Sequence, residues 1–368
     1  MHVIVVGGGI VGASAAYHLA VRNVTVTLVD RADTGQATAA GAGIVSPWSR
    51  DEHDLEAYTL GRESARHYRE LAATLADDGD GDLGFRVVGG IALARDPGEL
   101  AHQEATLRAR RDDAPEIGDV ALLDPAELGR AFPPARRDLV GLHHTGAGRI
   151  DGRQACATLR SAAQRRGAEL RHGSAELDSS GERIEGVRVE GVALEADAVV
   201  VAAGAWTPPV CAPAGIDLPV TAQRGQIVHL ELPGADTAPW PVVHAFARHY
   251  LLGFGGPRVV AGATREDGTG FDHRVTVAGL SQILERAVEV APDLGEATVA
   301  QTRVGFRPMS SDGRPLLGPV PGAENVVVAT GLGPRGLTVG PLVGAIAGDL
   351  AVGEAPRVPI EGFALTRA

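Results

Sequence analysis

HVIVVGGGIVGASAAYHLAVRNVTVTLVD, residues 2–30, decides the architecture of this chain. His2 to Val6 is a short β-branched run without alternation, which suits a strand buried on both faces of a parallel sheet. A helix is predicted from about Ile10 to Arg22, with Ala13, Ala16 and Ala20 small enough for close packing. Asn23 can end it in a left-handed conformation, and Val24 to Asp30 makes a second strand. Between first strand and helix stands Gly7-Gly8-Gly9-Ile10-Val11-Gly12, a GxGxxG element in the strand-turn-helix context that gives the pattern meaning. Gly7 allows the tight turn and Gly9 lets the backbone approach a pyrophosphate. Gly12 brings the helix against the sheet, with its positive N-terminus at Ile10 and Val11 aimed at the phosphates. Asp30, 18 residues beyond Gly12, can accept hydrogen bonds from ribose hydroxyls and disfavours a 2′-phosphate, which argues against NADP. The element leaves FAD and NAD open, because both carry adenosine pyrophosphate.

Outward from this opening, 368 residues suffice for two domains with a cleft between them, since domains run to ~100–200 residues. The balance of 44% apolar and 22% charged residues is that of an ordinary soluble globular protein rather than a disordered one. A net charge of -12 repels nucleic-acid phosphates and anionic lipid, so nucleic acid is not an expected partner. Cys156 and Cys211 offer neither a CxxC pair nor metal-ligand spacing and are read as small buried apolar residues. The start enters a strand with no basic or cleavage-site pattern, and the uncharged stretch 198–216 is broken by Pro208, Pro209 and Pro213. The expectations are therefore no signal peptide, no transmembrane segment and a cytoplasmic location. Asp77 to Asp82 resembles a calcium loop, but read from Asp78 it places Leu83 at the required glycine and Gly89 at the closing glutamate, so no metal site is expected there.

The chain then visits two domains alternately. Helices are predicted at Leu55 to Leu75 and Gly98 to Arg111, with a strand-like Phe85 to Leu93 between them. A helix at Gln154 to Arg166 and strands at Glu169 to Arg171, Gly186 to Glu190 and Ala198 to Ala202 resume the first sheet. Runs at Gln226 to Leu232, Tyr250 to Gly253 and Val259 to Ala263, with a helix at Val277 to Val290, suit an antiparallel sheet. Strand Asn325 to Ala329 leads through a glycine-rich turn to a last helix at about Val339 to Val352. The expected class is α/β (α+β): a discontinuous Rossmann-type dinucleotide-binding domain at 1–50, 140–220 and 300–368, and an antiparallel-sheet substrate domain at 51–139 and 221–299.

That last turn, Ala329-Thr330-Gly331-Leu332-Gly333-Pro334-Arg335-Gly336-Leu337-Thr338, separates the two cofactors. A nicotinamide enzyme has no general need of it, whereas an isoalloxazine extending from the pyrophosphate gains from a second helix N-terminus that stabilises negative charge on the reduced ring.

With this element the sequence resembles the D-amino acid oxidase family of FAD-dependent oxidoreductases, in the branch of glycine oxidase, sarcosine oxidase and D-amino acid dehydrogenase. The resemblance covers essentially the whole chain. It rests on Gly7 to Gly12, Thr38-Ala39-Ala40-Gly41-Ala42-Gly43-Ile44, Val199 to Trp206, Gln223-Arg224-Gly225-Gln226, Gly262-Ala263-Thr264, Gly305-Phe306-Arg307-Pro308 to Asp312-Gly313, and the C-terminal turn. It implies that Arg31 and Thr38 to Ile44 line the cofactor, that Ala175 lies against adenine, and that Ala203, Gly204 and Trp206 pass near the ribityl and phosphate portion. Trp206 as a core aromatic is the alternative. Gly333, Arg335, Gly336, Leu337 and Thr338 belong to the same cofactor-binding set. Covalent sarcosine oxidases carry a cysteine tether where Gly305 or a neighbour stands here, so FAD is expected to be held noncovalently.

The resemblance further implies that Arg307, in a GxRP turn, binds a substrate carboxylate over the flavin, a task suited to a bidentate guanidinium. A surface arginine paired with Asp312 is the alternative. Arg335 matches a position near the substrate mouth and is either a second carboxylate contact or a loop arginine that meets solvent, and Tyr250 begins a strand that faces the flavin and either orients the carboxylate or packs in the core. His244 and His249 either border the pocket or serve structure, and Trp48 either covers the ring or belongs to the core. The expected reaction is hydride transfer from the α-carbon of a small amino acid or amine to flavin N5, with oxygen or another carrier accepting the electrons.

Overall fold

The computed structural model describes residues 1–48, 54–180 and 183–367, so the expected domain boundary at 50/51 lies outside the described residues. The opening folds as its sequence predicts. Strand His2–Val6, helix Ile10–Val21 and strand Thr25–Asp30 form a βαβ unit, and Asn23 stands at φ 60° after the helix. The six-stranded sheet runs in the order Leu316–Val320, Ala323–Thr330, Ala198–Val201, His2–Val6, Thr25–Asp30, Glu169–His172. Five strands are parallel and Leu316–Val320 closes one edge antiparallel. Alternation within the apolar runs sorts side chains between two cores: Val3, Val5, Val26 and Leu28 pack under helices, while Ile4, Val6, Val29, Val199 and Val201 pack on the opposite face.

Gly186 to Glu190 was expected to extend the parallel sheet, but Ala175–Ser180, Arg183–Val189 and Val192–Glu195 form a separate antiparallel sheet laid over it. The physical reason is the left-handed pair Glu190 (φ 49°) and Gly191 (φ 81°), which turns the chain directly back on itself.

On the helical face the last helix, Gly336–Ala351, lies against the first. Gly340 and Gly344 permit the approach: a Cβ at Gly340 would lie 2.5 Å from Ile10 Cγ2, and one at Gly344 2.2 Å from the Val11 carbonyl oxygen. Ser14 Oγ donates to the Pro341 carbonyl at 2.6 Å across the same contact. Pro341 has no N–H to return to Leu337 one turn earlier, and the hydroxyl of buried Tyr68 donates to the Leu337 carbonyl instead.

The second large sheet has eight strands in the order Thr298–Ser310, Val220–Glu231, Arg258–Gly262, Tyr250–Gly253, Val242–His244, Gly90–Ala94, Val140–His144, Val120–Leu123. It is antiparallel except where Val242–His244 runs parallel to Gly90–Ala94. Val140–His144 and residues 300–310 are hydrogen-bonded into this sheet rather than the parallel one, and a boundary at 299/300 falls inside strand Thr298–Ser310. Gly305-Phe306-Arg307-Pro308, expected as a turn, lies inside the 13-residue strand Thr298–Ser310. Proline is tolerated because this strand is at the sheet edge, where one side of its backbone needs no ladder partner. The carboxylates of the calcium-like stretch face arginines: Asp78 with Arg166, Asp80 with Arg165 and Arg166, Asp82 with Arg86. Among the described residues no helix is long and apolar enough to cross a membrane.

Candidate active site

Both long helices of the contact begin at one cavity of about 1010 Å³. Gly7 opens it. At φ 104°, where a Cβ would meet the Ala202 carbonyl oxygen at 2.5 Å, only glycine lets the turn settle against the end of the neighbouring strand. No side chain caps the first helix at Gly9, and the hydroxyl of Thr38 accepts from the Ile10 N–H at 3.1 Å, holding the 38–44 segment beside the helix start. Thr338 Oγ1 ties the far end of that segment to the last helix by donating to the Ile44 carbonyl at 2.9 Å. Asp30 reaches the wall because Gly8 is bare: a Cβ there would be 2.5 Å from Asp30 Oδ2. Gln36 Nε2 donates to its carboxylate at 3.2 Å and Arg160 stands 3.7 Å away.

This end suits a dinucleotide. Two helix starts without N-cap side chains line the cavity and favour phosphate and other negative groups, an acid waits at the ribose distance along the chain, and the volume lies at the top of the ~300–1,000 Å³ range of ligand sites.

The wall also includes Arg31, Ala40 to Ile44, Ala175, Ala203, Gly204, Trp206, Gly333, Arg335, Gly336, Leu337 and Thr338. Trp206 is half-buried and outside the hydrophobic cores: it borders the cavity and stacks on Phe271 at 4.8 Å between ring centroids. Two expected cofactor contacts do not face the cavity. Gly12 is buried against Gly7, where its missing Cβ would stand 1.8 Å from the Gly7 carbonyl oxygen. Ala39 turns its carbonyl away to accept from Arg153 and Arg303. Trp48 is fully buried in the helical core and His249 is buried behind the wall, stacked on Tyr250, whereas His244 lines the cavity.

The opposite end is built from side chains of the eight-stranded sheet. Arg307 projects over Gly225, at which a Cβ would lie 2.5 Å from both terminal guanidinium nitrogens, Nη1 and Nη2. Its Nη1 donates to the Thr264 carbonyl at 3.1 Å and to Gln223 Oε1 at 3.3 Å. Asp312 pairs instead with Arg367 at 2.8 Å, while Arg307 donates to Thr264 and Gln223. The Tyr250 hydroxyl sits within hydrogen-bonding reach of Arg307, and burial raises its pKa against the opposing pull of Arg307 and Arg265. Sequence reasoning missed Arg265, Arg248 and the part played by Gly225. Arg265 directly follows the Gly262-Ala263-Thr264 match, and that adjacency was the available signal. Burial and then the nearby Arg307 lower the pKa of Arg265. Burial pushes both cysteine thiols up to about 12, and neither thiol lines the cavity.

A dinucleotide fold with a second helix start at the same cavity points to a flavin-dependent oxidoreductase. Comparison with known proteins agrees: residues 2–350 match the family described as FAD dependent oxidoreductase (DAO), and the chain belongs to that family. It is 41% identical to an uncharacterised oxidoreductase, YurR, of Bacillus subtilis, over 98% of this chain and 97% of that one. It is 30% identical to glycine oxidase of Pseudomonas aeruginosa, over 97% and 96%. Among solved structures, iminodiacetate oxidase of Chelativorans sp. BNC1 superposes with a TM-score of 0.95 at 42% identity, covering 99% of this chain and 98% of that one. Glycine oxidase of Geobacillus kaustophilus does so with a TM-score of 0.88 at 29% identity, covering 100% and 98%. The family's dependence on FAD sets aside the nicotinamide alternative.

Proposed function

We propose that the protein oxidises the C–N bond of a small amino acid or secondary amine. The observation that carries this reading is the Arg307 guanidinium, held by Thr264 and Gln223 at the end of the cavity remote from Asp30, where it can meet a carboxylate in bidentate fashion. Gly7, Gly9, Ile10, Val11 and Asp30 would hold the adenosine pyrophosphate, and the Gly333–Thr338 turn the flavin end. When bound, FAD accepts the hydride lost from the substrate α-carbon. The nitrogen loses a proton, and water then adds to the resulting imine to release an oxo acid and ammonia or an amine. Arg307 fixes the carboxylate and hence the α-carbon, Tyr250 orients the same group through its hydroxyl, and Arg335 adds positive charge at the mouth. No protein base is required when the amine reacts neutral, so orientation and electrostatics carry the catalysis.

Glycine oxidase and iminodiacetate oxidase among the relatives favour small amino acids and their N-substituted forms as substrates. Oxygen or another carrier as electron acceptor, a dissociable FAD and a cytoplasmic location belong to the same proposal, the dissociable FAD supported by two buried cysteines that do not line the cavity. We also propose that the chain divides by sheet membership, with residues 140–144 and 298–310 assigned to the substrate side. The test is anaerobic mixing of the yellow holoenzyme with a panel of amino acids. Bleaching of the flavin band by at least one of them is expected, and a band that no amine bleaches would reject the reading.

A further inference from the structure

The end of the cavity beside Arg307 holds more positive charge than one amino-acid carboxylate uses. Arg307 donates to the carbonyl of Thr264, the residue immediately before Arg265, so the two guanidinium-bearing residues adjoin, and Arg248 lines the same wall. The acids that follow Arg265 are turned elsewhere: Glu266 pairs with Arg224 at 2.6 Å, and Asp267 accepts from Gln223 at 2.9 Å. Asp272 answers Arg224 and Arg274. Glu99 also borders the cavity but pairs with neither cation, and among the described residues Arg265 and Arg248 have no hydrogen-bonded or ion-paired carboxylate. Arg307, Arg248 and Arg286 all repel Arg265. Like charges crowded into a half-closed site oppose one another and are retained most readily where an anionic ligand restores the balance.

We infer that the substrate carries two carboxylates, one held by Arg307 and the second by Arg265, with Arg248 adding attraction for the second. This rests on the C–N oxidation proposed above and specifies its substrate class. Arg265 is then the residue that determines specificity, because hydrogen bonds between charged partners are worth enough to separate substrates by roughly 100-fold.

Two substrate pairs differ by only the extra acid: iminodiacetate against sarcosine, and D-aspartate against D-alanine. Anaerobic flavin reduction by the wild-type holoenzyme should favour the dicarboxylate by roughly 100-fold in kcat/KM in at least one pair. Arg265→Met should bring that ratio to within about threefold, and Arg265→Lys should restore part of it, because an ammonium keeps the charge without the fork. Monocarboxylates that bleach the flavin as well as their dicarboxylate partners, or an Arg265→Met enzyme that loses both members of a pair equally, would overturn the second-acid assignment and leave C–N oxidation standing. Failure of all four compounds and of the wider panel would remove both.

Discussion

The two ends of the cavity are built from different materials. Near Asp30 the wall is backbone, with bare turns and helix starts whose defining residues are the ones that lack atoms. Near Arg307 the wall is side chain, with guanidinium groups and a phenol reaching in from a sheet whose strands come from distant parts of the chain. Under the proposed function the first kind of wall would hold the phosphate-bearing cofactor, and it would be damaged by adding atoms. The second would hold the substrate, and it would be damaged by removing atoms.

The largest expected effect tests the first half of this contrast. Gly12→Val places a side chain where the Gly7 carbonyl oxygen already stands 1.8 Å from the would-be Cβ, and backbone cannot yield there. FAD affinity should fall by at least ~100-fold, an overpacking cost of roughly 3 kcal/mol. A flavin fluorescence titration with unchanged affinity would break the comparison. Arg307→Ala should do the converse, raising KM by roughly 100-fold for the loss of a charge-assisted contact while the protein stays yellow. A colourless product would show that Arg307 holds cofactor rather than substrate.

Gly225→Ala sharpens the boundary between the two kinds of wall, because here an added methyl meets only the mobile end of Arg307, 2.5 Å away. The fold should survive with FAD bound, and kcat/KM should drop by about tenfold as the guanidinium is displaced. Loss of FAD instead would place Gly225 with the backbone wall.

The smallest effect concerns the support behind Tyr250. Burial lowers the pKa of His249 to about 4, so the folded protein keeps it neutral while the unfolded chain takes up a proton near 6.5. Its stabilisation is complete above about pH 6.5 and is lost as pH falls toward 4, at about 1.4 kcal/mol per pH unit mid-window. His249→Gln should flatten the melting temperature against pH between 6.5 and 4 without abolishing the slope, since buried His67 and His144 are also held neutral, at about 4 and 3. A slope that does not change would show that His249 is not held neutral as inferred.

The cofactor end was largely legible in order along the chain. Gly7, Gly9 and Asp30 lie in one βαβ unit, whose geometry is local, and the Gly333–Thr338 turn announces itself by composition. Gly12 and Ala39 were read as cofactor contacts because they sit inside matching motifs. Gly12 instead packs the turn, and Ala39 faces the far side of its short helix. The substrate end was half legible. Arg307 stood in a recognisable motif, but Arg265 and Arg248 carry no pattern of their own, and an arginine on an exposed loop reads the same as one aimed into a cavity.

The hairpin at Arg183–Val189 was misplaced for a related reason. An apolar run states that it will be buried without stating against which sheet.

The sequence by itself determined the dinucleotide fold, the place of Asp30 at the end of the second strand, and the two helix starts, because each depends on residues within a turn or two of one another. Only the tertiary structure decided that these starts meet at one cavity, that Gly340 and Gly344 let the helices touch, and that Arg248, Arg265 and Arg307 share one wall. Those outcomes depend on strand order and helix contact between residues far apart in the chain, which local spacing does not encode.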